Sequence, residues 1–171
     1  MGRSVRLLRM APLEFDPIER AGELWEEHVG DATAMRLVTS LMRAQQLVLA
    51  RLEAVLKPLG ITFARYEVLR LLSFSRAGSL PLSKIGERLM VHPTSVTNAI
   101  DRLVAQGLVT RAVDESDRRR VLAALTPEGR AVLRDATEAL VAIDFGVDGL
   151  TSGQQHQAYD VLRVLRSTDW T

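Results

Sequence analysis

The stretch from Pro81 to Thr126 leaves this chain the least freedom. From about Leu82 to Met90, the apolar residues Leu82, Ile85 and Leu89 recur at i, i+3 and i+7, one face of a helix that must be buried. Val91, His92 and Pro93 make a turn, and proline suits the first position of a second helix because the amide it lacks has no partner there. In that second helix Val96, Ala99, Ile100 and Leu103 form one inward stripe. The opposite side carries Thr94, Ser95, Thr97, Asn98, Asp101 and Arg102. Short hydroxyls and amides near a helix start can meet base edges or phosphates in a major groove. Taken alone, the same face also reads as an ordinary solvated surface.

After Gly107, a helix stop, Leu108 to Val113 is β-branched in character, and Arg120 to Leu125 sets Val121, Ala123 and Leu125 on one face at period two. The six residues between, Asp114 to Arg119, are all polar. A tip holding Arg118 and Arg119 is costly to bury but suited to phosphates or a narrow minor groove, and Asp117 is placed to hold one arginine. Two short helices followed by a charged hairpin are the pattern of a winged helix-turn-helix. The expected fold is mainly α with a small β-hairpin wing (α+β), the reading helix over 93–104, the wing over 108–125, and double-stranded DNA as the partner.

Composition narrows the alternatives. The 171 residues, 47% hydrophobic and 25% charged, fit one compact domain or a small domain with helical extensions. There is no cysteine, so disulfides and thiol-based metal or redox sites are excluded, and His28, His92 and His156 are scattered without a second ligand at metal spacing. No Gly-rich phosphate loop, Gly-x-Ser-x-Gly elbow or dinucleotide fingerprint appears, so neither an enzyme nor a cofactor is expected. No apolar run approaches the roughly 18 residues of a membrane span. Arg3, Arg6 and Arg9 flank no continuous apolar core, which makes a poor signal peptide and leaves the cytoplasm as the default location. The net charge of +1 is unevenly spread: residues 61–126 hold ten Lys and Arg against six Asp and Glu, a net of +4, and the remainder carries −3. A basic middle suits a nucleic-acid contact made by one module.

Around that middle, residues 1–16 read as a flexible arm, 17–60 as N-terminal dimerisation helices, 61–126 as the DNA-binding region and 127–171 as C-terminal dimerisation helices. Asp16 and Pro17 open a helix with Ile18, Ala21 and Trp25 on one side, and Trp25 reads as core. A helix of about 25 residues, from Ala32 to Leu56, would run near 37 Å. Its apolar positions Met35, Val38, Leu41, Met42, Leu49, Leu52 and Leu56 exceed what one short neighbour could cover. A helix from Phe63 to Phe74 follows, then a loop over Arg76 to Ser79. Thr126 and Pro127 open a helix through Leu133, Ala136, Leu140 and Ile143; a break at Gly146 to Gly149 precedes a last helix with Tyr159, Leu162 and Leu165 inward. The terminal helices cannot satisfy their apolar faces on the reader alone, so a two-fold symmetric homodimer is expected, with two reading helices facing successive major grooves.

These residues resemble the multiple antibiotic resistance regulator (MarR) family of bacterial transcription factors over Ala32 to Leu165. The most specific parts are Asp117-Arg118-Arg119, then Leu125-Thr126-Pro127-Glu128-Gly129, similar to that family's Asp-x-Arg and Leu-Thr-x-x-Gly, and the helix start Pro93-Thr94-Ser95-Val96-Thr97-Asn98. The resemblance implies a homodimeric regulator, usually a repressor, on a pseudo-palindromic operator, released by a small anionic or phenolic effector bound between dimerisation and DNA-binding regions. The family's wing arginine maps onto Arg119, with Asp117 as its partner. The extra N-terminal helix is similar to the urate-responsive, PecS-like branch, whose effector residues would fall on Trp25, Glu67 and Arg111; where that branch has a recognition-helix arginine, this chain has Ala99. The competing reading is a winged-helix protein-interaction scaffold without effector or specific DNA binding.

Overall fold

Most helices begin where a side chain can take up an amide that the helix leaves free. In the computed structural model, which describes residues 14–114 and 116–167, Asp16 accepts the Ile18 amide at 2.8 Å and opens α1 (Pro17–His28). Asp31 does the same for Thr33 at 3.2 Å before α2 (Thr33–Leu56). Thr62 precedes α3 (Phe63–Ser73), Pro81 and His92 precede α4 (Leu82–Leu89) and α5 (Pro93–Ala105), Thr126 caps α6 (Pro127–Ala142), and a Thr151/Gln154 capping box starts α7 (Ser152–Arg166). The expected arm lies outside the described residues up to position 13. No described helix is long and apolar enough to cross a membrane.

Three strands complete the fold: β1 (Ser79–Pro81), β2 (Val109–Val113) and β3 (Val121–Leu125), antiparallel in the order β1-β3-β2. The hairpin was expected, but β1 corrects the reading of 76–79 as loop alone. Its three residues are too short to display a period, and Pro81 is tolerated because β1 is an edge strand.

The described residues form two compact units, divided within α2 between Leu47 and Val48. In the first, Gly22 is buried beneath Arg36: a Cβ there would lie 2.1 Å from the Arg36 Nε. Arg36 also pairs with Glu26 and, at 3.5 Å, with Glu19. Trp25, expected as core, is 41% exposed, and Leu37, Val38, Met42 and Leu47 are 55–61% exposed.

In the second unit, Leu52 and Leu56 from the end of α2 join Leu69 and Leu72 of α3, Ile85, Ile100, Leu103, Ala123, Leu133 and Leu140 in one core. The α6–α7 break starts earlier than expected. Asp144, Phe145 and Gly146 have φ of 47°, 50° and 80°, three successive left-handed residues, and Arg51 donates to the Gly146 carbonyl at 2.8 Å. In the single chain α7 buries none of its residues, and Tyr159, Leu162 and Leu165 stand 57%, 36% and 38% exposed. Their periodicity marks an apolar face that the described residues leave largely exposed.

Candidate nucleic-acid interface

The turn between α4 and α5 is drawn by hydrogen bonds that the apolar pattern does not disclose. Met90 sits at φ 56° and closes α4, with its amide donating to Glu87 O at 3.4 Å and the Val91 amide to Gly86 O at 3.1 Å. His92 then caps α5: its Nδ1 accepts the Thr94 amide at 3.2 Å, a bond that needs an unprotonated nitrogen. Gly107, at φ 73°, ends α5 in the same manner as Met90 ends α4, with Leu108 N–H donating to Leu103 O at 2.9 Å.

Val96, Ile100 and Leu103 face the core, so the residues between them are driven outward. Thr94, Ser95, Asn98, Asp101 and Arg102 are exposed. Thr97 is half-buried and its hydroxyl donates to the Pro93 carbonyl at 3.2 Å, which leaves it an acceptor rather than a donor to anything outside.

The wing tip is organised by two aspartates. Asp114 accepts the amide and hydroxyl of Ser116 at 2.9 and 2.6 Å, and its Oδ2 lies 3.6 Å from Arg120. The Ser116 hydroxyl, then its amide, with a smaller contribution from the Arg120 charge, hold the Asp114 carboxyl below the usual carboxylate range. Asp117 Oδ1 accepts the Arg119 amide at 3.1 Å and faces its Nε at 3.4 Å. The Arg119 side chain nonetheless remains 92% exposed, so its two terminal nitrogens are presented to solvent. Arg118 is exposed beside it. Asp114, Ser116, Arg120 and the cap His92 are structural partners that the sequence reading passed over.

The three expected effector residues are not alike. Arg111 on β2 is engaged by Asp101 on α5 at 2.7 Å. Glu67 on α3 is half-buried, and burial pushes its carboxyl up. Trp25 belongs to the first unit.

A sequence model of the MarR family matches residues 61–121, from the start of α3 into β3. The organic hydroperoxide resistance transcriptional regulator of Bacillus subtilis is 33% identical over 117 residues, covering 68% of this chain and 73% of that one. The chain belongs to the MarR family. Its likeness to MarR-family structures extends well beyond the matched module. Sco5413, a MarR family regulator from Streptomyces coelicolor, is 51% identical with a TM-score of 0.73, covering 78% of this chain and 92% of that one. A mutant MarR from E. coli, solved with operator DNA, is 25% identical with a TM-score of 0.69, covering 83% and 97%. CouR from Rhodococcus jostii RHA1, solved with p-coumaroyl-CoA, is 27% identical with a TM-score of 0.67, covering 79% and 94%. Against YhbI of B. subtilis, 39% identical over 85 residues, the chain spans only 54% of the relative's length and half of its own. These relatives are transcriptional regulators, not enzymes.

The family-like Leu125 to Gly129 run proves to be a joint. The Thr126 hydroxyl donates to Gly107 O at 2.8 Å and accepts the Gly129 amide at 2.9 Å, while its own amide donates to Leu108 O at 3.2 Å. A Cβ on Gly129 would stand 2.0 Å from the Leu108 carbonyl oxygen, so only glycine lets α6 start this close to the wing.

Proposed function

We propose that this MarR-family chain is a ligand-responsive transcriptional repressor that binds a pseudo-palindromic operator as a homodimer. The helix over 93–104 lies in a major groove, where Thr94, Ser95, Thr97, Asn98 and Arg102 meet base edges and phosphates. The wing over 108–125 brings Arg118 and Arg119 to the backbone or the adjoining minor groove, with Asp117 orienting Arg119. The observation that carries this reading is the pairing of an outward polar face on α5 with an arginine that is 92% exposed yet held by its neighbour. The operator complex of the E. coli relative supports the same use of the fold.

Dimerisation is supported by the uncovered apolar side chains of α7 and, separately, of the first half of α2. That a small anionic or phenolic ligand binds and releases the operator is an extension of this reading, and its binding half is supported by the p-coumaroyl-CoA bound to CouR. Such a ligand acts only through different affinities for the DNA-competent and DNA-incompetent arrangements.

The test is duplex binding measured against salt. Arg119→Ala is expected to weaken binding to every sequence and flatten the log–log salt slope by about one. Asn98→Ala is expected to lose discrimination at particular base pairs, by about 1–3 kcal/mol. Unchanged binding in both variants would favour the protein-interaction scaffold.

A further inference from the structure

The carbonyl of Gly60 is held from two sides. Gly60 lies in the joint between α2 and α3, at φ 71°, and its oxygen accepts the Gln106 side-chain amide at 2.8 Å and the Arg65 guanidinium at 3.3 Å. The same Arg65 nitrogen donates to the Gln106 side-chain oxygen at 3.1 Å. The Gln106 amide is thereby oriented: turned over, it would set its NH2 against the guanidinium and its oxygen against the Gly60 carbonyl. Arg65 is fixed in turn, with its Nε donating to the Thr62 hydroxyl at 3.2 Å.

At the far end of the joint, Glu53 on α2 accepts the Phe63 amide at 2.8 Å. Hydrogen bonds thus run from α2, through the residues that carry the chain into α3, to Gln106 at the C-terminal cap of α5. The apolar stripe of Val96, Ile100 and Leu103 fixes which side of α5 faces inward. Hydrophobic contact is non-directional, whereas a directed bond at the end of the helix fixes its bearing against the last turns of α2.

We propose that Gln106 is a positioning residue that sets the separation of operator half-sites this protein accepts. The inference rests on the homodimeric DNA-binding reading above, in which each reading helix meets one half-site. Gln106 stands at the end of α5 opposite to Thr94 and Ser95, so it acts through the bearing of the helix rather than through a base. One base pair added between half-sites moves one of them by about 3.4 Å and turns it by about 34–36°. Reading helices whose bearing is tied to α2 follow such a change poorly. With the tie cut, each can rock toward its displaced half-site.

The experiment starts from duplexes that the full-length parent selects out of a randomised pool. Anisotropy then gives the affinity of parent and variants for a selected duplex and for versions with one base pair inserted or removed between the half-sites. The parent should bind the altered spacings about tenfold or more weakly. In Gln106→Ala that penalty should shrink to about threefold or less, while affinity for the selected duplex stays within about threefold of the parent's. Gln106→Glu should behave alike, because a carboxylate pairs with Arg65 but has no hydrogen to give the Gly60 carbonyl. A loss of folded chain lowers affinity for every duplex together and leaves the ratios unchanged, so the penalty reports bearing and not stability. A penalty that persists in either Gln106 variant overturns the inference and leaves operator binding standing, as does a parent that binds its selected duplex with no penalty for altered spacing. A parent that selects no duplex removes the DNA-binding reading, and the inference with it.

Discussion

Arg111 on β2 and Asp101 on α5 meet at 2.7 Å and tie the first strand of the wing to the helix beside it. Both side chains are substantially exposed, at 39% and 54%, so the pair contributes only about 0–1 kcal/mol to stability. Its larger effect is on the charge offered to an anionic partner. Asp101→Asn removes a carboxylate from the outward side of α5 and frees the Arg111 guanidinium. Non-specific duplex affinity should therefore rise a few-fold, with the log–log salt slope steepening by up to about one. Anisotropy titrations over several salt concentrations check this, and a fall in affinity would refute it.

The joint at Gly129 should be the least forgiving position in the second unit. Gly129→Ala forces a methyl carbon into the Leu108 carbonyl and is expected to cost at least about 2–3 kcal/mol. Thr126→Val, which removes the cap but keeps the shape, should cost about 1 kcal/mol. Urea denaturation midpoints at constant slope measure both, and equal losses would contradict the assignment of the larger cost to backbone collision.

Met90 offers the opposite sign. It occupies a left-handed conformation with its side chain 74% exposed, so little burial is lost on truncation. Met90→Gly should stabilise the fold by about 1 kcal/mol through relief of the Cβ penalty. A lowered melting temperature would show that the side chain is needed where it is.

These residues also show what a one-dimensional pattern can and cannot reveal. The stripes Ile85/Leu89 and Val96/Ile100/Leu103 announced α4 and α5 because a buried face leaves a period, and Thr126-Pro127 announced α6 because caps are local chemistry. The strand β1 left no trace, since three residues cannot show a period and its stability comes from pairing with a segment more than forty positions away. The inwardness of Tyr159, Leu162 and Leu165 was legible only as an apolar face; periodicity does not say what covers that face. The wing's Asp117–Arg119 contact could be anticipated at a spacing of two residues, whereas Asp101–Arg111, ten apart and on different elements, could not.

Acid should loosen the wing tip. The Asp114 carboxyl titrates below its unfolded value, so its contribution is complete at neutral pH and is lost as pH falls through the ordinary aspartate range to the depressed value. Asp114→Asn should abolish that step in melts recorded against pH. Glu67 carries the reverse sign: burial raises its folded value, so stability declines as pH rises from the ordinary glutamate range through the raised value. Glu67→Gln should be more stable than the parent at neutral pH and show no such decline. A parent and variant that melt in parallel across this range would discount the assigned sign for either residue.

The break between α6 and α7 is made by three left-handed residues in a row, two of them carrying side chains that disfavour the shape by about 1–3 kcal/mol each. A bend assembled against such resistance has few substitutes, because adding or dropping one residue would rotate α7 about its axis and swing its apolar face to a new bearing. Diversification of the terminal helix is therefore channelled into side-chain changes along its outside, while the path of its backbone stays set from the corner where it departs.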